Sequence, residues 1–77
     1  MIRVEVNMHG NLRRFLPGGV GSIQLDLPEG ATVLNVIGSL SAEHDVWLAS
    51  IGDMVVPLSA EVKDGAELNC FPYLEGG

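Results

Sequence analysis

Basic residues are scarce in this chain: Arg3, Arg13, Arg14 and Lys63 stand against ten acidic residues, for a net charge of -6. No basic cluster is long enough to follow a phosphate backbone, which argues against nucleic acid as a ligand. An acidic domain is drawn instead to a basic protein surface, and such charge speeds the encounter more than it tightens the complex. Cysteine is nearly absent as well. Cys70 alone cannot close an internal disulfide, in keeping with a reducing compartment. Long apolar runs are missing, so no segment spans a bilayer. The opening residues, Met1 to Glu5, alternate in polarity rather than placing a basic region before an apolar one, which argues against a secretion signal. The expectation is a cytoplasmic protein without membrane association.

What the chain does have is aliphatic residues. Hydrophobic residues make up 47% of it and aromatics only 5%, the balance of a folded core built from Val, Ile and Leu. Seventy-seven residues make one domain. At this size folding buries roughly 60% of the chain's surface, which leaves little room for an enclosed active site.

Ile2, Val4, Val6 and Met8 alternate with Arg3, Glu5 and Asn7, the period of a strand with one buried face. Asn11 to Leu16 form at most a helical turn, broken by Pro17-Gly18-Gly19-Val20-Gly21. Ile23, Leu25 and Leu27 mark a second strand, antiparallel to the first. After Pro28-Glu29-Gly30, Thr32 is placed to cap a helix. Val33, Val36, Ile37 and Leu40 give that helix one apolar stripe; Gly38 weakens it, and it should end near Ser41 to His44.

The apolar runs Val46 to Ile51 and Met54 to Val56 flank Gly52-Asp53, a pair suited to a tight hairpin. Past a turn at Asp64-Gly65, Ala66, Leu68 and Cys70 mark a last strand. A hairpin followed by a helix and a further strand favours a last strand parallel to the first. The predicted class is α+β, a ubiquitin-like β-grasp with a mixed sheet packed on one main helix. The domain covers residues 1–74, and residues 75–77 form a flexible Gly-Gly tail.

Catalytic constellations are nearly absent. Gly10, Gly18, Gly19 and Gly21 lack the Lys-Ser/Thr of a phosphate loop and read as a turn. His9, His44 and Cys70 are scattered singly, whereas a structural zinc site takes four ligands, so no metal is assigned. Cys70 shares a face with Leu68 and reads as a small buried hydrophobe rather than a sulfur-carrying thiolate. Trp47, beside Val46 and Leu48, reads as partly covered core rather than a binding surface.

The tail suits a purpose. Gly-Gly at a terminus is by default simple fraying. Here the last strand runs straight into Phe71-Pro72-Tyr73-Leu74, which fixes where the tail leaves. Gly76 and Gly77, without Cβ atoms, suit a narrow channel in a partner. Phe71, Tyr73 and Leu74 are placed to dock that partner, although Phe71 equally fits the hydrophobic end of the core.

Several segments together resemble the sulfur-carrier family of the molybdopterin synthase small subunit (MoaD) and the thiamine-biosynthesis carrier (ThiS). They are Leu-Pro-Glu-Gly-Ala-Thr-Val at 27–33, Val-Pro-Leu at 56–58, Lys63-Asp64-Gly65 with Glu67, and the Gly76-Gly77 end. The likeness extends over essentially the whole chain. It implies that an adenylating enzyme related to ubiquitin activators uses ATP to convert the Gly77 carboxylate into an acyl-adenylate. Sulfur from a persulfide donor then displaces AMP, leaving a thiocarboxylate.

On this resemblance Gly77 is the reactive residue and Gly76 the one that makes it reachable. The resemblance implies that the chain itself is a carrier rather than an enzyme and binds no cofactor. Its downstream partner would be a molybdopterin synthase large subunit or a thiazole synthase. Molybdopterin-type members often carry Pro-Pro where this chain has Pro72-Tyr73, yet the segment from Gly10 to Gly21 looks more like that type than the shorter thiamine type. The rival expectation is a ubiquitin-like modifier that passes the same activated Gly77 to a lysine. The plainest is an interaction domain whose tail does nothing.

Overall fold

A computed structural model describes residues 1–73; Leu74, Glu75, Gly76 and Gly77 lie outside the described residues. The elements follow in the order β1 (Ile2–Met8), β2 (Ser22–Leu27), α1 (Val33–Ser39), β3 (Val46–Ile51), β4 (Met54–Val56) and β5 (Glu67–Pro72). The strands make one mixed sheet in the order β2-β1-β5-β3-β4. Neighbours pair antiparallel except for β1 and β5, which run parallel in the register Val6 to Leu68 and Met8 to Cys70. The expected β-grasp is what forms.

Alternation divides the sheet into two faces. Ile2, Val4, Val6 and Met8 of β1 and Leu68 and Cys70 of β5 point into one core with Val33, Val36 and Ile37 of α1. Burying each of these aliphatic side chains contributes about 1.5–3 kcal/mol. The helix forms because its apolar positions fall on one stripe and its start is capped at both ends of a reciprocal pair. Thr32 Oγ1 accepts from Asn35 N (3.2 Å), and Asn35 Oδ1 accepts from Thr32 N (3.0 Å). The turn that follows β4 satisfies two more donors of the first helical turn: Val33 N donates to Ala60 O and Leu34 N to Leu58 O, each at 2.9 Å.

The helix keeps its apolar stripe through Leu40 and stops just short of the end expected near Ser41 to His44. Ser41 takes the left-handed conformation (φ 61°), its N–H donates to Gly38 O, and Ala42 N–H donates to Ile37 O. This pair of bonds closes the helix at Leu40, and Ala42 turns into the core. The segment predicted as a helical turn is a 3-10 helix over Gly10–Phe15 that buries Leu12. Among the described residues no helix is long and apolar enough to cross a membrane.

Candidate functional site

β5 is last in sequence yet lies between β1 and β3, so both its neighbours fix where it ends. On its open face, away from α1, it carries Glu67, Asn69 and Phe71. Phe71 is in register with Leu48 of β3. On the other side, the ladder runs one step past Met8 and Cys70, where His9 N donates to Cys70 O at 3.1 Å. His9 therefore faces Phe71, and the two rings stack with centroids 4.6 Å apart and planes 9° from parallel.

The imidazole is held from below. His9 Nε2 lies 3.3 Å from Asn69 Oδ1, which also accepts from Asn7 Nδ2 at 3.1 Å. An amide oxygen can only accept, so Nε2 carries the hydrogen in this arrangement. Gly10 then turns the chain away against Pro72. The result is a small aromatic platform beside the point where the chain leaves the sheet. Tyr73, the last described residue, is 57% exposed.

The candidate residues thus fall into three groups. Phe71 is half-buried in the platform and Tyr73 stands exposed beyond it. Leu74, Gly76 and Gly77, which the sequence suggests for docking and for the tail chemistry, lie outside the described residues. His9, Asn7 and Asn69 were not singled out from the sequence as a group. The one signal was their outward position on alternating strands, and nothing local joins residues about sixty positions apart.

Cys70 lies fully buried on the core face, and burial pushes its thiol up to about 11. A thiol so raised holds almost no thiolate at neutral pH, which suits packing and not sulfur transfer. Trp47 differs from expectation. The register against β5 shifts between Val46 and Leu48, and the extra residue in that bulge is Trp47, turned outward with 50% of its surface exposed.

At the other end of the open face, Arg3, Glu5, Gln24, Asp64, Gly65 and Ala66 line a shallow cleft of about 320 Å³. Arg3 Nε donates to Asp26 Oδ1 at 3.0 Å, and that hydrogen bond, with the guanidinium charge behind it, holds the Asp26 carboxyl below its ordinary range. The pair is exposed and screened, and the cleft mixes both signs without a convergent set of groups. Among the described residues no three His, Cys, Asp or Glu side chains are arranged to hold a metal ion.

Neither a protein-family model nor a curated protein sequence matches the chain. Solved structures do. A Pyrococcus furiosus protein assigned as molybdopterin converting factor, subunit 1, superposes with a TM-score of 0.77 at 24% identity, over 96% of this chain and 100% of that one. Small archaeal modifier protein 1 of Haloferax volcanii gives 0.78 at 18% identity, over 96% and 100%. The Haloferax volcanii HVO 2177 protein gives 0.78 at 22% identity, over 99% and 87%. At such identities the shared property is the architecture, and the chain has the same ubiquitin-like β-grasp fold as these MoaD-like and modifier proteins.

Proposed function

We propose that this protein is a sulfur carrier whose working group is the carboxylate of Gly77, with molybdopterin-type biosynthesis slightly favoured over thiamine-type. The placement of β5 carries the reading. The strand that leads to the Gly-Gly end is locked between two neighbours, with Phe71 and Tyr73 beside its exit. A carrier needs its reactive end presented at a fixed place by a rigid body, and a last strand held on both sides supports that reading. The similar fold assigned as a molybdopterin converting factor subunit supports the same reading.

The chemistry belongs to partners. A carboxylate is ionised at neutral pH and acylates nothing until one oxygen becomes part of a leaving group. In the adenylating enzyme, a Gly77 carboxylate oxygen attacks the α-phosphate of ATP and pyrophosphate departs. The outer sulfur of a persulfide donor then displaces AMP, and a further thiol reduces the acyl disulfide to the thiocarboxylate. This chain's residues bind and orient: Phe71, Tyr73 and Leu74 dock, and Gly76 passes through the channel. Molybdopterin synthase large subunit is the favoured acceptor and thiazole synthase the alternative.

A second reading, conjugation of Gly77 to lysines, draws support from the likeness to a small archaeal modifier. The two share activation and part at the product. The test incubates the intact protein with ATP, an adenylating enzyme and a persulfide donor, then reads intact mass. Oxygen-to-sulfur exchange is the expected result. Removing Gly77 should abolish it, since misplacing a reacting atom by about 1 Å costs on the order of a hundredfold. Equal loading of intact and shortened chains would sink the carrier reading, and branched conjugates in place of exchange would favour the modifier.

A further inference from the structure

The polar and aromatic residues around Phe71 form a single chain of contacts that the carrier chemistry does not itself require. Asn7 Nδ2 donates to Asn69 Oδ1 at 3.1 Å, Asn69 Oδ1 faces His9 Nε2 at 3.3 Å, and the His9 ring lies nearly parallel to Phe71 at 4.6 Å. Two of these residues are on β1 or just past it, and two are on β5. The contacts are on the open face, so they add nothing to the core that folds the domain. A phenylalanine on an open face, with solvent on one side, would ordinarily sample more than one rotamer. Here it has a plate against it, and the plate is itself oriented by a hydrogen bond.

From this geometry we infer that His9 is a positioning residue for activation. It fixes the Phe71 ring at the root of the tail in the pose that the adenylating enzyme docks, so the partner need not order that ring on binding. The inference rests on the carrier reading and adds to it a residue outside the tail. Ordering a side chain at an interface costs affinity, and a side chain held beforehand in its bound pose avoids that cost. The role predicts an effect on recognition and none on the chemical step.

His9 could contribute only by holding β1 to β5, and two features separate that role from positioning. The backbone bond from His9 N to Cys70 O does not depend on the side chain. The ring alone reaches Phe71, and phenylalanine at position 9 keeps a plate while losing the donor. Glutamine keeps a donor while losing the plate.

The experiment measures ATP-pyrophosphate exchange by the adenylating enzyme with the whole chain as varied substrate. For His9→Ala the expected result is a KM raised about five- to tenfold, the size that a lost aromatic pair gives, with kcat unchanged. His9→Phe should restore most of the affinity, and His9→Gln should behave as His9→Ala does. In the free protein, side-chain NMR couplings should report one Phe71 χ1 rotamer in the wild type and averaging in His9→Ala.

An unchanged KM in His9→Ala overturns the proposal. So does a lowered kcat at constant KM, or a loss of thermal stability that accounts for the change and that His9→Phe does not repair. Rotamer averaging of Phe71 in the wild type overturns the positioning role while leaving the carrier reading standing. No exchange with the wild type, alongside a fixed Phe71, instead removes the carrier reading and the role with it.

Discussion

Gly10 and Pro72 are packed so closely that a methyl group on Gly10 would stand 3.1 Å from Pro72 Cγ. Gly10 also has φ 58°, in the region where a Cβ meets the backbone. A proline ring cannot swing aside as a flexible side chain can. Gly10→Ala should therefore cost about 1–2 kcal/mol from the left-handed backbone, and somewhat more from the contact. Urea unfolding followed by the fluorescence of Trp47 measures it. A loss below about 0.5 kcal/mol, within the range of an ordinary surface change, would show that the corner relaxes freely.

Ser41 gives the opposite prediction. It sits at φ 61° where helices usually place glycine, and its side chain is exposed. Ser41→Gly should raise stability by up to about 1 kcal/mol by removing the Cβ conflict, less the entropy that glycine brings to the unfolded chain. The same unfolding titration reads the change, and a decrease would contradict the closing motif as described.

Cys70 ties stability to alkaline pH. Its thiol is raised in the fold to about 11 from an ordinary 9.0, so between these values the unfolded chain releases a proton that the folded one keeps. Stability from this group is complete below about pH 9 and is lost as pH rises toward about 11, by on the order of 3 kcal/mol. Unfolding midpoints of the wild type and Cys70→Ala should converge over that window. Alkylation by iodoacetamide at pH 8 should be slow in the native protein and fast in urea. Cys70→Ala should load sulfur as the wild type does.

Tyr73→Ala tests docking apart from folding. Tyr73 is 57% exposed and follows the last strand, so its loss should leave the unfolding free energy unchanged within about 0.5 kcal/mol. If the partner uses it, KM for activation should rise about tenfold or more, as for an aromatic anchor at an interface. Unchanged activation would remove Tyr73 from the partner's footprint.

β1, β2 and β5 were legible because each has one buried face, and a period of two survives in the sequence wherever that holds: Ile2 to Met8, Ile23 to Leu27 and Leu68 to Cys70 all read correctly. The helix start was legible in Thr32, whose side chain acts locally. Its end was not, because Ser41 in a left-handed turn carries no glycine to announce it. Trp47 was misjudged since a bulge adds a residue to one strand and reverses which side faces out, a property of pairing and not of composition. The site divides likewise. The position of Phe71 and Tyr73 at and just past the end of β5 could be read from the order of the chain, whereas the stack of His9 on Phe71 joins residues that only the parallel β1-β5 register brings side by side.

The central position of β5 bears on how the protein is made. The hairpin of β1 with β2 and the hairpin of β3 with β4 are each complete before residue 67 is synthesised, but only β5 bonds to both. Neither hairpin is stable alone in water. The sheet can therefore close only after Pro72 has emerged, within a few residues of Gly77. Translation that stops early leaves two unjoined ribbons and no Gly77. A chain long enough to carry Gly77 therefore also carries the strand that joins its two hairpins, so no product truncated before β5 has that glycine.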